Sequence, residues 1–159
     1  MQTHLRAAAA PRRAPPAPLH QPPEPGAGLL ETLGAIEDED HILVIGKDGL
    51  ELMCALLRAG ASRVTHLCSH ERPEAECASL AIIPQVPSLD WLASALPSIR
   101  RALIANGRVV VSVATQSITQ TVVRRMLAAH GFTAIRARNA ADRLVLRAEL
   151  PAFGLRRCA

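Results

Sequence analysis

The chain has 159 residues and a mass of 17.0 kDa, room for one domain that buries about two-thirds of its unfolded surface. Hydrophobic residues make up 49% but aromatics only 2%, with no Tyr, so the core must be built from Ala, Leu, Val and Ile, which suits a helix-covered parallel sheet. The formal charge is +4, yet Arg6, Arg12 and Arg13 lie near the N-terminus and the other basic residues are dispersed, some in pairs such as Arg100-Arg101 and Arg124-Arg125 that do not share a helix face. With two Phe and one Trp there is no stacking platform for bases, so composition argues against a nucleic-acid partner.

Residues Met1 to Gly28 hold seven of the 12 prolines and no apolar periodicity, and are expected to form a disordered tail. Its "PPAP" and "PPEP" runs would also suit a polyproline-binding partner. The domain is expected from Leu29 to the C-terminus. It opens with an amphipathic helix, Leu29 to Ile36, followed by an acidic run, Glu37 to Asp40, read as a solvated loop. "HILVIG" (His41 to Gly46) is an apolar run of buried-strand length, and Leu50 to Gly60 reads as a helix ended by its glycine.

Arg63 to Ser69 is a second strand, alternating Val64, His66 and Cys68 against Thr65 and Leu67, and Ser79 to Val86 is a third. Helical periodicity then runs through Leu89, Leu92, Leu96, Ile99 and Leu103 toward "IANG" at Ile104 to Gly107, and Pro97 is expected to kink or divide it. "RVVVSV" (Arg108 to Val113) is the clearest strand, and Ser117 or Thr119 can cap the helix that follows. Phe132 to Arg138 and Arg143 to Leu150 close the chain as an antiparallel hairpin across "NAAD". This order predicts an α/β fold, a doubly wound and mostly parallel Rossmann-like sheet with a C-terminal antiparallel hairpin.

The four cysteines, Cys54, Cys68, Cys77 and Cys158, have no metal-ligand spacing and are read as reduced thiols of a cytoplasmic protein, Cys54 and Cys68 in the core. No metal site is expected. No apolar stretch is long enough to span a bilayer, and no apolar segment follows the N-terminal charges as in a secretory signal. GxSxG, HExxH and P-loop motifs are absent.

From Leu29 to Leu150 the chain resembles a small class I S-adenosylmethionine-dependent methyltransferase. The resemblance rests on the first helix, "HILVIGKDGLEL", "ASRVTHLCSHERPE", "SLAIIPQVPSLDWL", "RRALIANGRVVVSV" and the terminal hairpin. It implies a cofactor site at the C-terminal edge of the sheet, with Gly46, Lys47, Asp48 and Gly49 in the first loop and Ser69 and Glu71 in the second. Gln85 and Asp90, after the third strand, would face them as weak catalytic candidates. S-adenosylmethionine is the implied cofactor.

The sequence departs from the family in three places. Where the family sets an acid to accept both ribose hydroxyls, at the end of the second strand, stands Cys68, a poor substitute for a carboxylate. "HERPEAECA" between Ser69 and Ser79 is too short for the family's helix–strand–helix passage, so one strand should be missing. "IIPQVPSLDW" lacks the Asn/Asp-Pro-Pro-aromatic motif of amino-group methyltransferases, and Asp90 equally suits a helix cap. These departures imply weakened cofactor binding and leave catalysis in doubt. The alternative is a non-catalytic Rossmann-like scaffold or partner-binding subunit, its partner a small molecule or a protein.

Overall fold

In the computed structural model the apolar runs become strands β1 (His41–Ile45), β2 (Arg63–Leu67), β3 (Ala78–Ile83), β4 (Leu103–Ala114), β5 (Thr133–Ala140) and β6 (Arg143–Glu149). The helices between them are α1 (Gly49–Arg58), α2 (Leu89–Ala102) and α3 (Gln120–Ala129). The structure describes residues 29, 40–68, 71, 73–115, 118–140 and 142–152. The expected tail 1–28, all of the first helix except Leu29, and Ser69, His70 and Ser117 lie outside the described residues.

The strands form one sheet in the order β2-β1-β3-β4-β6-β5, parallel from β2 to β4 and antiparallel across β4-β6 and β6-β5. Both faces of β1, β3 and β4 are covered, as continuous apolar strands require. Leu43, Ile45, Ala81, Ile83, Val109, Val111 and Val113 turn toward Leu92, Leu96 and Ile99 of α2 and Val123 and Leu127 of α3. Ile42, Val44, Leu80, Ile82, Val110 and Val145 turn the other way, onto Leu52 and Leu56 of α1 and onto Leu29. Val109, Val110 and Val111 are at most 1% exposed, because β4 lies inside the sheet and is buried on both faces. The fold is the doubly wound, mostly parallel α/β arrangement expected from the sequence.

Among the described residues no strand lies beyond β2, and none of those between β2 and β3 is helical. Pro73 in this connector borders a surface depression with Pro97, Ser98 and Arg101, and Cys77 packs on the core beneath α2. Pro73 and Cys77 therefore lie on the α2 side.

Four local expectations are corrected. Pro97 does not divide α2, because it is exposed while Leu92, Leu96 and Ile99 carry the buried stripe; the carbonyl that loses its partner can face water. "IANG" is not helical: α2 stops at Ala102, and the register jump from Ala78 opposite Leu103 to Leu80 opposite Arg108 makes Ile104–Gly107 a bulge in β4. Asp40 is not solvated. It is 6% exposed, with Ser79 Oγ donating to Oδ1 at 2.7 Å and Arg108 Nη2 donating to Oδ2 at 2.9 Å, which ties β1, β3 and β4 together at their N-terminal or lower ends. Cys68 is exposed, because β2 is an edge strand and the chain turns away immediately after it.

Candidate functional site

The parallel strands all point one way, so the turns after β1, β2, β3 and β4 gather along one edge of the sheet, where open α/β sheets bind ligands. After β1 the chain turns through Gly46, whose φ of +128° is closed to other residues without strain. The Gly46 amide donates to Leu67 O at 3.2 Å, joining this turn to the end of β2. A Cβ built on Gly46 would find its nearest atom, Gln85 O, at 4.0 Å. Gly46 is itself buried, and a side chain there would touch the turn after β3 without crowding it.

Gly49 is occupied differently. A Cβ there would stand 2.4 Å from His66 Cδ2, 2.6 Å from His66 Nε2 and 2.9 Å from Val44 Cγ1. His66 Nε2 also donates to Gly46 O at 2.7 Å, so the imidazole lies under the loop and braces it from within the protein. Of the two glycines, Gly46 is uncrowded and Gly49 makes room for a side chain. His66 escaped the sequence reading as a site residue; its alternation with Val64, facing α1, was the available clue.

Lys47 and Asp48 are exposed at the tip of the loop, and Asp48 precedes α1 without a side-chain capping bond. After β2, Glu71 folds back so that its Oε2 accepts from the Cys68 amide at 3.0 Å, and the Glu71 amide donates to Cys68 O at 3.1 Å. This closed turn sets a carboxylate at the end of β2, where the sequence itself has only a thiol. Ser69, between them, lies outside the described residues.

Gln85 is exposed beside buried Pro84 and Val86, and its backbone faces Gly46. Asp90 is exposed in the first turn of α2, and Ser88, not Asp90, caps that helix by accepting from the Trp91 amide at 3.1 Å. The fold therefore brings Gly46, Glu71 and Gln85 to adjoining turns and leaves Asp90 on the helix surface. Arg143 at the start of β6 was not anticipated. Its Nη1 donates to Pro84 O at 2.9 Å, so β6 adds a half-buried cation to this edge. Among the described residues no group of acidic, His or Cys side chains is arranged to hold a metal ion, and no helix is long and apolar enough to cross a membrane.

The backbone is similar to that of several solved S-adenosylmethionine-dependent methyltransferases. Similar solved structures include a 16S rRNA N2-methyltransferase of T. thermophilus in complex with AdoMet and guanosine, with TM-score 0.58 and 13% identity over 74% of this chain and 37% of that one. A putative methyltransferase complexed with a Haloferax volcanii activator aligns with TM-score 0.62 and 11% identity, over 73% of this chain and 84% of that one. A TehB-like methyltransferase of Corynebacterium glutamicum gives TM-score 0.59 and 15% identity, over 77% and 86%. The chain spans 37% and 60% of the first two matched structures, the T. thermophilus enzyme and a possible exported protein of Bordetella parapertussis. No protein-family model matches the sequence, and no curated protein matches it. At these identities the likeness establishes the fold.

Proposed function

We propose that this chain is a shortened methyltransferase-type domain that binds S-adenosylmethionine across the turns after β1 and β2. The observation that carries the reading is Gly46, whose φ of +128° turns the chain at the end of β1 and whose missing Cβ would meet one neighbour, Gln85 O at 4.0 Å, without crowding. A backbone without a Cβ lets a ligand approach closely there. Glu71 supports it as the carboxylate that would accept from ribose hydroxyls, its Oε2 already oriented by the Cys68 amide. When bound, the cofactor supplies an electrophilic methyl group on a sulfonium. Gln85, exposed across the turn, would orient the acceptor through its side-chain amide, whereas Asp90 is set apart on α2. Lys47 and Asp48 would flank the ligand at the loop tip, Ser69 would adjoin the ribose, and Gly49 would act through His66. The thiols and the absence of a membrane-length helix among the described residues fit a cytoplasmic setting for such an enzyme.

A second reading, a non-catalytic scaffold, draws on one observation: among the described residues β2 is the edge strand, and no further strand walls that side of the site. Titration with S-adenosylmethionine and S-adenosylhomocysteine, followed by thermal unfolding, separates the two. At about 100 times the dissociation constant, binding should stabilise the domain by about 2.7 kcal/mol. No shift at millimolar cofactor, in the wild type or in Cys68→Asp, would leave the scaffold reading.

A further inference from the structure

The terminal hairpin has a consequence that the linear order of its arginines conceals. Arg136 and Arg138 lie on β5, and Arg143 and Arg147 on β6. Arg136 is directly opposite Arg147, Arg138 opposite Val145, and Ala140 opposite Arg143. Across β6 and β4, Arg147, Val145 and Arg143 face Val110, Ser112 and Ala114. Val110 and Val145 belong to the core beneath α1, whereas Leu144, Leu146, Ile135 and Ala137 pack on the opposite side. By strand alternation all four arginines therefore emerge on the α1 side of the sheet.

Arg136 and Arg138 are exposed, and Arg143 and Arg147 half-buried. Among the described residues none of the four forms an ion pair, although exposed Glu149 lies on the same face of β6 two residues beyond Arg147. Like charges directly opposite across a sheet destabilise it. The arrangement thus works against the stability of the hairpin.

Alternate residues on a strand are about 6.7 Å apart and neighbouring strands about 4.8 Å, so the four guanidinium stems rise from a strip about 13 Å long. One small anion engages one or two guanidinium forks, whereas a strip of this length suits an anion with repeating charges. No aromatic residue lies on these two strands to stack a base. Apart from the arginines, the exposed residues of β5 are Thr133, Ala134 and Asn139, so the large apolar anchors that a protein interface relies on are missing. Arg-only, fork-shaped recognition favours phosphodiesters. At its upper end the strip reaches the candidate site, where Arg143 holds Pro84 O at 2.9 Å next to Gln85.

Against the expectation from composition, which considered base stacking and spacing along the chain, we infer that the α1-side face of the β5-β6 hairpin is a docking surface for the sugar–phosphate backbone of a nucleic acid, read by charge and not by base. This surface does not depend on cofactor binding, and a negative S-adenosylmethionine titration would leave it standing.

The test is fluorescence anisotropy of a labelled RNA hairpin of about 20 nucleotides with the full chain, at salt concentrations between about 50 and 200 mM, alongside labelled poly-glutamate. The doubly substituted Arg136→Ser/Arg138→Ser protein is compared with Arg124→Ser/Arg125→Ser, which removes the same charge from exposed positions on α3. Melting curves check that both remain folded, and Arg138→Ser alone serves if the first double variant does not. The expected result is RNA binding that falls about tenfold or more in the hairpin variant and less than about twofold in the α3 variant, with the slope of log K against log salt reduced by about 2 in the former. Equal losses in the two variants, no RNA binding, or tighter binding of poly-glutamate than of RNA would each overturn the inference, the last in favour of an acidic protein partner.

Discussion

The imidazole of His66 occupies the position where a side chain at Gly49 would begin, with Cδ2 at 2.4 Å and Nε2 at 2.6 Å from the site of a Cβ. The same ring donates to the carbonyl of Gly46 at 2.7 Å. One side chain thus links the edge strand to both glycines of the first loop, and the loop's shape depends on β2 as much as on its own residues. Gly49→Ala should cost about 1–3 kcal/mol, the usual range for overpacking. In a double-mutant cycle His66→Ala should recover much of that loss, with a coupling energy above about 0.5 kcal/mol in denaturant unfolding. Additive losses would show that the ring is not the obstacle.

Gly46 should respond differently, because its surroundings are uncrowded and only its backbone is demanding. Gly46→Val should cost about 1–3 kcal/mol through the φ of +128°. It should also abolish the stabilisation by S-adenosylmethionine, since the added side chain projects into the space facing Gln85. Melting shifts with and without cofactor separate the two effects: a variant that melts lower but keeps the full ligand-induced shift would place the ligand elsewhere.

The Asp40–Arg108 pair should matter more for stability than a surface pair does. Asp40 is 6% exposed and also accepts from Ser79, while the Arg108 side chain is 22% exposed. Breaking a buried pair from one side costs about 3–5 kcal/mol, and the partial exposure of Arg108 places Arg108→Met near the lower end. Asp40→Asn, which can still accept from Ser79, should cost less than Asp40→Ala. Urea unfolding midpoints of the three variants check that order.

Two neighbouring residues of β4 should behave oppositely. Val110 is 1% exposed beneath α1, so Val110→Asp buries a charge with no partner and should cost several kcal/mol, visible as loss of the cooperative melt. Ser112 is equally buried, and its Oγ has no hydrogen-bond partner. Ser112→Ala removes an unsatisfied hydroxyl and should be neutral or stabilising by up to about 1 kcal/mol. A large loss on Ser112→Ala would mean that the hydroxyl is satisfied in solution.

The sheet was legible in the sequence because its strands are continuous apolar runs of the right length, divided by helices whose apolar stripes are equally regular. "HILVIG", "SLAIIPQV" and "RVVVSV" could be little else, and the short passage after Ser69 already implied that one strand was missing. Local pattern also located the turns after β1, β2 and β3, and so the edge where Gly46, Glu71 and Gln85 lie. Pattern could not tell which glycine is crowded, because that depends on His66 across the strand pair. Nor could it show that Glu71 folds onto the Cys68 amide, that Asp40 is buried by Arg108 from a strand 68 residues away, or that Ser88 caps α2 in place of Asp90. The arginines of the last two strands were equally unreadable, since spacing along the chain does not reveal which side chains a hairpin register places opposite one another. Sequence by itself determined the elements and their order, through burial and periodicity; the tertiary structure alone decided which polar side chains meet, because those contacts are long-range and leave no local period.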